Sequence, residues 1–177
     1  MAVLKLTPLL AALLAFELSA NAAEFRAVRL SDDGKELVIT QFDGSTVRAP
    51  RLQDQDSFDT AQVSTDGRYV GWLALYPLGA SYSEPIELVV LSQRQRLHRF
   101  HGHFGMVFRW CFWPKQNAVV YAFSFPHGQT DTGFELRRID DERLLGRYAI
   151  PFDAGKRNGT IRVAPAWVRC IPDWQGQ

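Results

Sequence analysis

Apolar and polar residues alternate in short runs along most of this chain, and tight polar turns separate the runs. A period of two marks strands with one covered face. Three segments repeat the order strand, turn, strand: "AVRLSDDGKELVITQF" from Ala27 to Phe42, "TAQVSTDGRYVGWLALY" from Thr60 to Tyr76, and "FRWCFWPKQNAVVYAFSF" from Phe108 to Phe125. In the first two, Asp-Gly predicts a bulged hairpin, because glycine takes positive φ without a Cβ clash. Gly34 and Gly67 supply that residue, 33 positions apart. The third copy has no glycine, so Pro114 is expected to preset the turn and Asn117 to take the left-handed position. The run "YVGWLALY" is apolar on both faces, as an inner strand between stacked sheets should be.

A further pair of strands follows in two of the copies. "IELVVLS" and "RLHRF" flank the turn "QRQ", and "FELRRID" and "LLGRYAI" flank "DER". The first unit is shorter, with "VITQF", a turn at Asp43-Gly44 and "TVRAP", which predicts three strands rather than four. "PAWVRCIP" echoes "RWCFWP" and is expected to form a C-terminal strand that patches a sheet edge. The fold class is all-β, with about three propeller-blade-like antiparallel sheets. They would form an incomplete propeller or an open, sandwich-like wedge. "VSTDGRYVGWLA" and "LSDDGKELVIT" resemble the Ser/Pro-Asp-Gly-Lys/Arg hairpin of TolB-type, WD-like β-propeller repeats. The resemblance covers most of the chain after its N-terminus, at the level of the repeat unit. Such propellers usually have six or more blades, whereas this chain has room for about three. The resemblance implies binding of a protein or small ligand by loops on one face.

The N-terminus reads as a targeting segment. Lys5 precedes an apolar run from Leu6 to Phe16, and the small residues Ala20, Ala22 and Ala23 follow. This is the order of a secretory signal, and the run is short for a membrane span. Residues 1–22 are expected to be a signal peptide and residues 23–177 a single β-repeat domain, periplasmic or secreted, with a retained anchor helix as the alternative. No later segment is long and apolar enough to span a bilayer. Positive and negative side chains nearly cancel, 20 against 19, without the basic stripe of a nucleic-acid binder. Cys111 and Cys170 are too far apart in sequence for a redox CxxC or a zinc knuckle. They read either as one disulfide of an exported protein or as two small buried apolar residues.

No catalytic motif is present: "GASYS" lacks the second glycine of a nucleophile elbow, and no HExxH, Walker loop or GxGxxG occurs. The carboxylates of "IDDERL" fall where a turn is needed. Asp54, Asp56 and Asp59 could offer oxygens to calcium, but the central glycine and terminal glutamate of an EF-hand loop are missing, and a linker is the simpler reading. Asn158-Gly159-Thr160 matches a glycosylation sequon. Trp72, Trp110, Trp113 and Trp167 lie on predicted strands and read as core. His98, His101 and His103 cluster in "LHRFHGHFG". With His127, His101 and His103 form a weak metal-ligand candidate, against a solvated connection.

Strand parity then places the loops. In an antiparallel unit the short turns share one end, and the long connections share the other. The long segments "PLGASYSEP", "HGHFG" and "PHGQTDTG" are therefore expected at one face, with Ser81, Tyr82, His101, His103, His127 and Asp131 as candidate binding residues. The leading reading is a non-catalytic exported protein that takes a protein partner or small ligand there, without a cofactor. The alternatives are an inhibitor or immunity-type protein that blocks another enzyme, and a metal-dependent hydrolase using the histidines.

Overall fold

A computed structural model describes residues 24–79, 82–103, 105–125, 131–152 and 163–172. The described residues form three antiparallel sheets. The first is β1 (Phe25–Leu30), β2 (Leu37–Gln41) and β3 (Thr46–Arg48). The second is β4 (Ser57–Val63), β5 (Tyr69–Leu78), β6 (Tyr82–Ser92) and β7 (Leu97–His101), in that spatial order. The third is β8 (Met106–Trp113), β9 (Ala118–Ser124), β10 (Thr132–Arg138) and β11 (Leu144–Ile150), also in chain order.

Alternation along the inner strands explains the stacking. On β5, Val70, Trp72 and Ala74 enter the core shared with the first sheet, while Tyr69 and Leu73 enter the core shared with the third. On β6, Val89 and Leu91 face the first sheet, and Leu88 and Val90 face the third. On β9, Val119, Tyr121 and Phe123 face the second sheet, and Ala118, Val120 and Ala122 face away from it. Side chains that alternate between faces let one strand serve two cores, which is why these runs are apolar throughout. Trp72 and Trp110 are fully buried, whereas Trp113 and Trp167 pack only partly covered against the outermost core.

The turn chemistry follows the sequence. Gly34 and Gly67 have φ of 67° and 68°, and Asn117 takes the left-handed position at φ 50° after a 3-10 turn over Pro114–Gln116. Two expectations need correction. The hairpins at Gly34 and Gly67 are not equivalent. The Gly34 carbonyl accepts the Phe58 N–H at 2.7 Å, and the Gly67 carbonyl accepts the Phe25 N–H at 2.7 Å. Phe58 is the second residue of β4 and Gly67 lies beyond its far end, so the two turns sit at opposite ends of the stack. In the first sheet β1 runs opposite to β4, and no counterpart of β4 or β8 is present among the described residues. An Asp-Gly turn reports a local conformation, not a place in a sheet.

The C-terminal segment is also not a strand. Val168–Cys170 form a 3-10 turn, and Val168, Ile171 and Trp167 cover the outer face of the third sheet rather than its edge. Cys111 on β8 is bonded to Cys170, with Cα atoms 6.0 Å apart. That bond fixes the segment over the face.

Candidate functional site

The two ends of the second and third sheets are chemically different. At the turn end, the short connections are laced together. Arg68 Nη2 donates to Asn117 Oδ1 at 3.1 Å, and Asn117 Nδ2 donates to Tyr69 Oη and to Asp140 Oδ2, both at 2.9 Å. The Tyr69 hydroxyl donates to Asp140 Oδ1 at 2.8 Å, and the Gln93 N–H donates to the Arg68 carbonyl at 3.0 Å. These bonds join the four short turns predicted to share an end. A cavity of about 450 Å³ opens beside them, lined by Arg68, Arg94, Arg96, His98, Tyr69 and Asp140 among others.

The opposite end carries the longer connections. Tyr82 begins β6 there, His101 ends β7, His103 follows it and Asp131 precedes β10. Ser81 and His127 lie outside the described residues, as does the sequon at Asn158. This end is apolar: Leu78, Tyr82, Phe125 and Phe152 are large exposed side chains. A groove of about 490 Å³ runs between His103, Phe123, Phe125, Asp131, Arg147 and Tyr148. Its floor is set by a close approach. The Phe123 ring lies directly over Gly133, and any Cβ at that position would collide with it. Asp131 Oδ1 accepts the Phe152 N–H at 3.1 Å, tying the start of β10 to the exit from β11.

The histidine pair is divided between two surroundings. His101 Nε2 lies 3.3 Å from a Glu87 oxygen, whereas His103 lines the groove. No group of three or more His, Cys, Asp or Glu residues among the described residues is placed to hold a metal. Two of the aspartates of "QDQDSFD" have other partners. Asp56 pairs with Lys35 Nζ at 2.7 Å and accepts from Ser83 Oγ at 2.7 Å, which clamps the first sheet to the second, and Asp59 accepts the Thr60 N–H.

Beneath the loop end lie two buried carboxylates. Glu87 is 1 % exposed and accepts both Nε and Nη2 of Arg99 at 2.8 Å, as well as the Tyr76 hydroxyl. Glu135, equally buried, accepts the Tyr121 hydroxyl at 2.6 Å, Arg137 Nε at 2.7 Å and Arg147 Nη2 at 2.6 Å. Burial pushes both carboxyls up, but the donors outweigh it and hold both below the ordinary range. Burial and the adjacent carboxylate push the Tyr76 and Tyr121 hydroxyls up. The two arrangements repeat at an interval of 48 residues, Glu87 with Arg99 and Glu135 with Arg147. Sequence reasoning missed these glutamates. The available signal was the shared apolar-Glu-Leu start of "IELVVLS" and "FELRRID", followed in both units by an arginine twelve positions after the glutamate.

No family model matches the chain, and no curated protein matches it. The TolB-type repeat is thus not supported by a family match. Among solved structures the chain is similar to the periplasmic gluconolactonase PpgL of Pseudomonas aeruginosa. The TM-score is 0.42 at 14% identity, and the match covers 73% of this chain and 40% of that one. The chain spans well under half of that protein's length, and no residue role is carried over from it. No helix among the described residues is long and apolar enough to cross a membrane.

Proposed function

We propose that this is an exported, non-catalytic binding protein that takes a protein partner at its loop end. The N-terminal pattern of Lys5, an apolar run and small residues supports export. The single observation that carries the binding reading is the concentration of exposed apolar side chains there. Leu78, Tyr82, Phe125 and Phe152 share this end with the groove over Phe123, and Phe125 is 48 % exposed. Aromatic anchors on a rigid scaffold, rimmed by His103, Asp131 and Arg147, have the composition of a protein interface core and its polar rim. The buried Glu87 and Glu135 networks hold the strands that carry the anchors.

The test uses the full-length protein, tagged at its C-terminus and recovered from the exported fraction of its host. Wild type, Phe125→Ser with Tyr82→Ala, and Arg94→Gln with Arg96→Gln are compared, and metal content is measured on the same samples. The expected result is a partner retained by wild type and by the arginine variant and lost from the aromatic variant. Equal retention by the aromatic variant removes the loop end as the site. Stoichiometric zinc or copper in the wild type would favour a metal-dependent role instead.

A further inference from the structure

The cavity at the turn end lies outside that reading. Its wall is prebuilt. Arg68 Nε donates to Asp66 Oδ2 at 2.6 Å, its Nη2 holds Asn117, and its guanidinium lies 5.4 Å from the centre of the Tyr69 ring. Among the described residues Asp140 is the one acid lining the cavity, and both of its oxygens are already occupied by Tyr69 and Asn117. Arg94 and Arg96 are different. They sit on the turn between β6 and β7, and neither guanidinium has an ion-pair or hydrogen-bond partner among the described residues. That turn is itself fixed. The Ser92 N–H donates to the Arg96 carbonyl at 2.9 Å, the Arg96 N–H donates back to Ser92 Oγ at 3.2 Å, and Gln95 takes φ 59° between them.

His98 supplies a second, independent observation. It lines the same cavity, is only 2 % exposed, and its Nδ1 is buried without a hydrogen-bond partner. Glu142 Oε1 stands 3.4 Å from Nδ1, within reach of a charged ring but outside hydrogen-bond geometry. Burial first, and then the charge of Arg96, lower the proton affinity of the ring, against a smaller opposing pull from Glu142 and Asp140. A buried ring nitrogen left unpaired is costly unless something else meets it.

We infer that the turn end holds an anion-binding pocket for a phosphate-bearing small molecule, gripped by Arg94 and Arg96 with His98 and Arg68 behind them. Guanidinium forks match the paired oxygens of a phosphoryl group, and their charge is not cancelled by an acid of their own. A cavity of about 450 Å³ is larger than a phosphate ion, so the phosphoryl group would be one end of a larger ligand. A soluble phosphate ester and a phospholipid headgroup offer the same chemistry.

Titration calorimetry at low ionic strength decides the matter, with inorganic phosphate, pyrophosphate and citrate as probes. Flotation with vesicles of phosphatidylglycerol in phosphatidylcholine, against phosphatidylcholine alone, forms the second arm. The expected result is binding of pyrophosphate or phosphate that weakens about tenfold or more in Arg94→Gln with Arg96→Gln. It should weaken to a smaller extent in His98→Gln and stay unchanged in Phe125→Ser. Binding to the phosphatidylglycerol vesicles alone, with the same dependence on Arg94 and Arg96, would identify the headgroup as the source. Because both arginines are exposed on a turn, the variant should keep the wild-type melting curve, so a loss of binding reports the pocket rather than the fold. The inference is overturned if no probe binds, if citrate binds as tightly as pyrophosphate, or if the arginine variant binds like wild type. None of these outcomes bears on the loop-end partner, which is read with different residues.

Discussion

Two sets of arginines in the molecule are used in opposite ways. Arg99 and Arg147, in the middle of their strands, and Arg137, nearer the turn end, each give donors to a glutamate that is 1 % exposed. At the turn end, Arg94 and Arg96 line a cavity and have no such acid. The first group holds strands together beneath an apolar surface. The second group leaves charge available beside a buried histidine whose Nδ1 lacks a hydrogen bond. Arginines on the same two sheets thus serve the fold in one set and stay open on one turn in the other.

The strongest way to break this contrast is acid. Both glutamates have carboxyls held below their ordinary range when folded. Their contribution is complete above the unfolded carboxyl value, about pH 4.3, and is lost as pH falls through the lower folded values. Thermal melts from pH 7 to pH 3 should therefore decline slightly below about pH 6.5, where His98 takes a proton more readily unfolded than folded, and drop steeply below about pH 4 as the glutamates protonate. A melting temperature that stays level to pH 3 would mean the pairs contribute nothing as ions.

Removing one cation comes next. Among the described residues Arg99 is the one arginine on Glu87, so Arg99→Ala should cost about 3 kcal/mol at pH 7, the low end for breaking a buried pair because Arg99 is half exposed and the Tyr76 hydroxyl still donates to Glu87. Glu135 keeps Arg137 when Arg147 is removed, so Arg147→Ala should cost less, about 1–2 kcal/mol. Denaturant unfolding of the two variants measures the difference, and a larger loss from Arg147→Ala would reverse the assignment of which site is singly held. Smallest of all should be Arg94→Gln with Arg96→Gln, within about 0.5 kcal/mol of wild type. A larger loss there would show that these arginines also support the fold.

Much of the architecture was legible because strands advertise themselves locally. The two-faced run at Tyr69 to Tyr76, the left-handed Asn117 and the short first unit with its turn at Gly44 all follow from alternation and turn chemistry. The phase of the first hairpin was not legible, because Asp-Gly specifies a turn without saying which strands it joins. "PAWVRCIP" has β-like composition, yet packing against Cys111, Val120 and Phe134 and the bond to Cys170 decide its shape. Strand parity put Tyr82, His101, His103 and Asp131 at one end. It could not show that His101 turns to Glu87, since a charged residue on a strand ordinarily reads as solvent-facing. Nor does "SQRQR" differ from any polar turn until the cavity beside it is seen.

The placement of the C-terminal segment makes one apolar face depend on one covalent bond. With Cys111 joined to Cys170, residues 163–172 are tethered over the face formed by Val120, Ala122, Phe134 and Leu136. Reduction would free that tether, and each departure of the segment would open the face to neighbouring chains.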